Sequence, residues 1–490
     1  MTENTVLSSR VLPHFYRDSV ALMAIASTTE KRDGIVRVGA VMATPSNLGI
    51  LADSDMLPAD LAAAPDDLVF VVRGADTETV DAALDAAVAG LTAVDAGSAS
   101  QEVRPGTIAE GIAAAEAAEA PANLVAISVA GTFAPIVAEQ SLRDGLHVLC
   151  FSDNVSVDDE VRLKRLAADK RLLMMGPDCG TAIIDGVPLG FANIVASGSV
   201  GLVAASGTGA QEVSRLLDAA GAGVSQLIGV GGRDLSAEVG GIMANLALDF
   251  LVDDSDTTVI AVVSKPPAPE IATALLERLA SIAKAGKPVV ACFLGLEDRD
   301  ENGVLVRGTL EGGALAAAAL AGHPFEVVDA EAIVHPKGRV LGLYTGGTLA
   351  SESKIILKRA HVEAEVIDLG DDEYTAGKPH PMIDPEGRAE RIAAAGSDAT
   401  VGTLLIDLVL GHGANADPAA PVAAAVREAK AAATAAGREL LVIGSVCGTS
   451  GDPQGIDRQR RALADAGVVL AQTNAAAARL AAAIDSGSAA

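Results

Sequence analysis

Between residues 201 and 485 the chain runs twice through one plan of apolar runs separated by helix-length patterns. In the first pass strand-like runs begin near Gly201, Gln226, Thr258, Pro288 and Phe325. In the second they begin near Arg339, Glu363, Thr403, Leu440 and Gly467. Most gaps hold helical patterns such as Ile271 to Ala285 and Ala420 to Ala436. Strands alternating with helices imply crossover connections, and hence parallel sheets buried on both faces. Five strands per pass predicts two flavodoxin-like, doubly wound domains with ligands at the carboxyl ends of the strands.

Upstream, the pattern predicts strand (Leu124 to Val129), helix (Phe133 to Leu142), strand (His147 to Phe151), helix (Asp158 to Asp169) and strand (Arg171 to Met175). This is the last half of a doubly wound, Rossmann-like domain. The first hundred residues form a separate α+β pattern, ferredoxin-like or ACT-like: strand-like Arg10 to Tyr16, helix-like Ser19 to Lys31, strand-like Val36 to Met42 and Asp67 to Arg73, then a helix Thr77 to Leu91. Ala93 to Pro105 reads as a linker, Ala475 to Ile484 as a final helix, and Ser486 to Ala490 as a frayed end. The expected division is residues 1–100, 101–196, 197–330 and 337–485. That agrees with a length of 490 residues, too long for one core.

Composition narrows the function classes. Half the residues are hydrophobic, only 2% are aromatic, and there are 50 glycines, as in an α/β enzyme with closely packed elements. A net charge of −28 opposes nucleic-acid and anionic-membrane partners. It leaves small anionic substrates open, because local dipoles set the field inside a cleft. No uninterrupted apolar stretch of about 18 residues predicts a membrane span, and no apolar signal core follows Glu3, so a cytoplasmic protein is expected. Cys150, Cys179, Cys292 and Cys447 are far apart and form no CxxC, so neither a disulfide frame nor a metal site is expected. Cys179 and Cys447 sit in matching Cys-Gly-Thr triplets with no base nearby and read as packing residues.

The turn Ser206-Gly207-Thr208-Gly209 follows an apolar run and opens a helical pattern, and Thr345-Gly346-Gly347-Thr348 repeats the arrangement. Helix starts leave N–H groups unpaired beside a positive dipole end, which suits phosphate or carboxylate. Further active-edge loops carry Gly231 and Gly232 beside Arg233, Lys265 before Pro266-Pro267, and Gly411-His412-Gly413-Ala-Asn415. Arg233 and Lys265 are candidate anion clamps, and His412 is a candidate acid, base or phosphate partner. His380, in Lys378-Pro-His-Pro-Met-Ile-Asp-Pro385, is a side chain that a rigid segment would hold over a cleft. Gly286-Lys287 and Gly377-Lys378 precede Pro rather than Ser or Thr, and no G-x-G-x-x-G opens a helix after the first strand, so no common nucleotide site is indicated.

Residues 121 to 325 resemble the α subunit of succinyl-CoA synthetase and related NDP-forming acyl-CoA synthetases. The resemblance lies in Met175-Gly-Pro-Asp-Cys-Gly-Thr181, Gly201 to Glu212 and Gly229 to Arg233. Residues 337 to 485 are similar to the ligase domain of the β subunit, whose phosphate loop matches Gly411 to Asp417. The resemblance implies a truncated CoA-binding-type domain and two ligase domains whose helix starts face a shared site. The family's phosphohistidine setting instead reads Arg307-Gly-Thr-Leu-Glu-Gly-Gly-Ala314, and its orienting acid has become Ser264-Lys265. The first half of the CoA-binding domain is replaced, and no ATP-grasp domain is recognised.

Across the whole chain, Phe15-Tyr-Arg-Asp-Ser-Val-Ala-Leu-Met23, Val41-Met-Ala-Thr-Pro-Ser-Asn47, Gly176 to Thr181, Lys378 to Pro385 and Gly448 to Gln454 resemble the FdrA family. That resemblance implies the large component of a carbamoyltransferase in allantoin breakdown. It would interconvert oxalurate plus phosphate with oxamate plus carbamoyl phosphate, alongside separately encoded subunits. Phosphate and carbamoyl phosphate are then the expected ligands, with CoA weakly supported. Acid–CoA ligation, with His380 or His412 in place of the missing histidine, and a non-catalytic scaffold are the competing readings.

Overall fold

The computed structural model describes residues 5–15, 17, 19–59, 61–95, 105–328, 336–375 and 379–483. Its contacts divide the chain into two units, Met1–Glu110 with Asp372–Pro379, and Gly111–Asp371 with His380–Ala490.

In the first unit three antiparallel strands pair with Leu68–Gly74 in the middle, between Val6–Leu12 and Ile35–Met42. Alternating residues of the middle strand point to opposite faces. Leu68, Phe70 and Val72 pack with Val80, Leu84, Ala87 and Leu91 of the helix Thr77–Asp95. Val69 and Val71 pack with Leu51 and Met56 on the other side. Leu51 belongs to a helix absent from the sequence expectations, Pro45–Asp53, which Thr44 caps by accepting from Asn47 N and Pro45 starts. The first strand lies earlier than Arg10 to Tyr16 because Pro13 has no N–H for the ladder. Most of the expected linker (96–104), Lys378, and the tail from residue 484 lie outside the described residues.

Among the described residues the second unit contains three sheets. Leu124–Ile127, His147–Cys150 and Met174–Met175 are parallel. An all-parallel five-stranded sheet runs in the order Ala364–Asp368, Arg339–Tyr344, Val401–Val409, Leu441–Cys447, Val468–Ala471, the doubly wound arrangement with the first strand second in line. The eight-stranded sheet repeats that order with Val224–Gly229, Ser197–Ala205, Val259–Ser264, Val289–Phe293 and Val304–Arg307.

Two details of this larger sheet depart from expectation. The fifth strand is not the run near Phe325, where residues 323–328 are irregular, but Val304–Arg307. It pairs with Arg299–Glu301 across Asn302-Gly303, both at positive φ (53° and 83°), the two-residue turn whose twist suits a hairpin. At the opposite edge the hairpin Thr181–Ile184 and Val187–Gly190 pairs with Val224–Gly229, so a segment expected in the upstream domain is hydrogen-bonded into this sheet.

Helices Gly207–Ala219 and Leu310–Leu320 of one half pack with Gly347–Arg359 and Asn474–Ala482 of the other, forming a shared layer between the two sheets. A single apolar cluster joins both sheets through them, from Val200, Leu202 and Val263 to Tyr344, Leu405 and Ile443 by way of Ala314, Ala317, Leu349, Ala477 and Ala481. Abundant alanine lets the layer pack closely. This layer sets the two helix starts face to face.

Candidate active site at two facing helix starts

Ser206 adopts extended backbone (φ −169°, ψ 119°) and caps its helix, accepting the Gly209 N–H at 3.0 Å. Its Oγ lies 2.7 Å from Thr348 Oγ1, in the first turn of the helix Gly347–Arg359. Reciprocally, Thr348 N donates to Thr208 Oγ1 at 3.3 Å. The Ser206 and Thr345 turns, 139 residues apart by subtraction of their numbers, therefore meet. Ser206→Ala removes a cap and leaves the Thr348 hydroxyl without its partner. The expected loss is about 1–2 kcal/mol of unfolding free energy, read by denaturant titration.

Two positive helix ends in contact repel, and the protein answers with its own carboxylates. Asp407 accepts Thr345 N and Gly346 N, each at 2.8 Å. Buried Arg388 holds Asp407 at 3.0 Å and donates to Thr345 Oγ1 at 2.6 Å. This corrects one expectation: the amides of Thr345 and Gly346 bind an internal carboxylate rather than a ligand. Among the described residues no protein acceptor takes the N–H of Gly207, Thr208 or Gly347, and these three residues are part-exposed. They are the open part of the junction.

Lys265 and Asp368 reach the same place. A methyl group on Gly347 would lie 2.2 Å from Asp368 Oδ2 and 3.4 Å from Lys265 Nζ. Glycine here is what admits both. Asp368 Oδ1 accepts the Gly370 N–H at 3.0 Å. Burial raises its carboxyl to about 6, against the pull of that amide and of Lys265, with Asp407 and Asp371 adding to the rise. Lys265 is exposed and forms no ion pair among the described residues.

His380 lies beside Gly370: a methyl there would meet its Nε2 at 2.4 Å and Thr345 O at 2.9 Å. Burial lowers its pKa to about 4, so the ring is neutral at pH 7. Nδ1 accepts the Met382 N–H at 3.1 Å, which places the ring proton on Nε2. Phe191 packs against the ring at 6.2 Å between centroids.

The remaining candidates are not brought to this junction by any contact among the described residues. The Gly411 loop does not present an open cradle: Gly411 N donates to Gln454 Oε1 and His412 N to Ala192 O. A methyl on Gly413 would lie 3.2 Å from Gly190 O. Asn415 donates its N–H to Met382 O at 2.7 Å and its amide to Ile383 O at 2.9 Å, pinning the turn that carries His380. The His412 side chain is exposed. Arg233 turns to Glu160 (2.8 Å) and Val155 O, beside the buried triad Lys164, Glu160 and Asp234. Gly231 and Gly232 pack on Pro177 and Asp178. Burial holds the Cys179 thiol near 12 and Cys447 well above its ordinary value, so neither is a thiolate. Asp407 and Arg388 were not singled out from the sequence, whereas Asp368 opens a loop, Asp368 to Asp372, that the strand pattern places at the active edge. A lone acid in the apolar strand Val401–Val409 was the available signal for Asp407.

Comparison with known proteins adds a family to this geometry. The chain is 41% identical over 504 aligned positions to "Uncharacterized protein YahF" of Escherichia coli (strain K12), covering 95% of this chain and 96% of that protein. The chain belongs to the YahF family. Family profiles match "CoA-ligase" at residues 343–484, "CoA binding domain" at 196–295 and "AllF, heavy metal-associated domain" at 4–105. The α 1 subunit of an ADP-forming succinate–CoA ligase from Archaeoglobus fulgidus is 28% identical over 183 residues, 36% of this chain and 60% of that protein. A dinucleotide-forming acetyl-coenzyme A synthetase 1 of Ca. Korarchaeum cryptofilum, in complex with phosphate and ADP, aligns at 16% identity with TM-score 0.34, over 74% of this chain and 82% of that one. The YahF-family chain is thus a multi-domain α/β protein with CoA-ligase and CoA-binding domains and an AllF-like N-terminal domain, related to succinyl-CoA synthetase α.

Two ligands follow from these names, and the residues fit neither well. Residues 4–105 contain no cysteine. His14, Asp66 and Asp67 come within 4.8 Å, but Asp67 is engaged by His14 N and Ala64 N and Asp66 by His14 Nδ1, as in a capped turn. Within the CoA-binding match, the Ser206 hydroxyl is already engaged by Thr348 and Gly209.

Proposed function

We propose that the chain is the large component of a phosphate-dependent carbamoyltransferase. With separately encoded cytoplasmic subunits it interconverts oxalurate plus phosphate with oxamate plus carbamoyl phosphate. The observation that carries this reading is the junction itself: among the described residues the amides of Gly207, Thr208 and Gly347 have no acceptor, and Lys265, which forms no ion pair there, lies beside Gly347. Such preset donors suit a phosphate and the oxyanion of a tetrahedral intermediate. The AllF match and the absence of a histidine from Arg307 to Ala314 support carbamoyl transfer over a phosphoenzyme.

In the assembled complex, Lys265→Ala is expected to raise the KM for phosphate about 10- to 100-fold, the loss of one charge-assisted contact. Carbamoyl phosphate formation from oxalurate measures it; turnover that needs no phosphate would overturn the reading. The CoA-ligase profile favours a second reading, acid–CoA ligation. His380 is a poor phosphoryl acceptor for it, since the Met382 N–H occupies Nδ1 and Nε2 carries the proton. A phosphohistidine found after incubation with a nucleoside triphosphate or succinyl phosphate would favour ligation.

A further inference from the structure

We infer that Asp368 is the proton-transfer residue of this site, with Lys265 opposite it holding the anion. The inference rests on the carbamoyl-transfer reading and adds a group to it. Asp368 ends the edge strand Ala364–Asp368, and one of its carboxylate oxygens is fixed by the Gly370 amide. The other, Oδ2, has no hydrogen-bond partner among the described residues. It converges with Lys265 Nζ on the space above Gly347, yet the two form no ion pair. An acid and a cation brought to one glycine without pairing with each other can both face a bound anion. The unsatisfied amide of Gly347 lies at that same point.

The reaction needs one proton moved. A phosphate oxygen attacks the carbamoyl carbon of oxalurate and forms the new C–O bond. The phosphate O–H proton passes to Asp368 Oδ2. The C–N bond then breaks, and Asp368 returns the proton to the departing amide nitrogen of oxamate. Atoms and charge balance without a further reactant. The groups facing Asp368 are Lys265, Asp407, Asp371 and neutral His380. Buried Arg388 offsets Asp407. A carboxyl titrating near 6 in this setting can both accept and donate near neutral pH.

Two measurements test it. In the assembled complex, Asp368→Asn is expected to lower kcat about 10²- to 10⁴-fold, with the KM for phosphate no higher than in wild type and the acid limb of the pH profile lost. A kcat within twofold of wild type overturns the assignment. The second measurement needs no turnover. Sulfate carries a constant charge between pH 5 and 8, so its binding to the isolated chain reports protein groups only. Wild type should bind sulfate severalfold more weakly at pH 8 than at pH 5, as Asp368 ionises beside it, and Asp368→Asn should not. Equal pH dependence in both proteins removes Asp368 from the site. If the complex shows no carbamoyl transfer but this sulfate pattern appears, the carbamoyl reading fails and the placement of Asp368 stands.

Discussion

Arg388→Met is expected to destabilise the second unit by about 3–5 kcal/mol, the usual result of removing one partner from a buried ion pair. Arg388 is 3% exposed and Asp407 1%. The guanidinium donates to Leu343 O, Thr345 Oγ1 and Asp407 O and pairs with the Asp407 carboxylate. Without it a carboxylate remains in an apolar strand with two amides as its partners. The double variant Arg388→Met, Asp407→Leu should recover part of the loss, because a well-packed apolar pair is often as stable as the ion pair it replaces. Urea titrations of Arg388→Met, Asp407→Leu, the double variant and wild type give the coupling. Additive losses would show that the pair does not act as a unit. Phosphate binding should fall in the double variant, since Thr345 N and Gly346 N there lose the acceptor that shapes their turn.

The second large effect is a pH dependence centred on Glu352. This carboxylate on the helix Gly347–Arg359 accepts Leu310 N at 2.6 Å and Asn474 Nδ2 at 2.7 Å, joining three helices of the shared layer. Burial raises its carboxyl to about 7 from 4.5. The Asn474 amide opposes the rise and the nearby Glu212 adds to it. The folded state thus holds a proton that the unfolded chain releases earlier. Its contribution is full below pH 4.5 and declines as pH rises to about 7, reaching roughly 3 kcal/mol in all. Glu352→Gln cannot ionise. Unfolding free energies at pH 5 and pH 8 should therefore show the variant gaining on wild type by about that amount at the higher pH. An equal gap at both values would place the titration elsewhere.

The repeated strand plan and both helix starts were legible because buried parallel strands and N-terminal turns leave local marks: apolar runs, then Ser or Thr among glycines. The edges were not. The hairpin across Asn302-Gly303 replaced the expected strand near Phe325 although an Asn-Gly pair is itself a hairpin signal. The site was legible in its backbone and not in its side chains. Glycine at 411 reports a close approach, but the group approached is Phe191 O of the same chain, 2.4 Å from where a Cβ would sit. Which partner a polar residue finds is a long-range matter. Arg388 and Asp407 are 19 positions apart, and Lys265 reaches Gly347 across 82, by subtraction. No local pattern encodes those meetings.

The helical layer common to both sheets has a consequence for how such a chain can change over evolutionary time. A volume change at Ala314 or Ala477 is felt by side chains belonging to both repeats, since one apolar cluster contains them all. The repeats must therefore diverge in step. A repeat transplanted from a distant relative would meet a companion surface carved for a different neighbour.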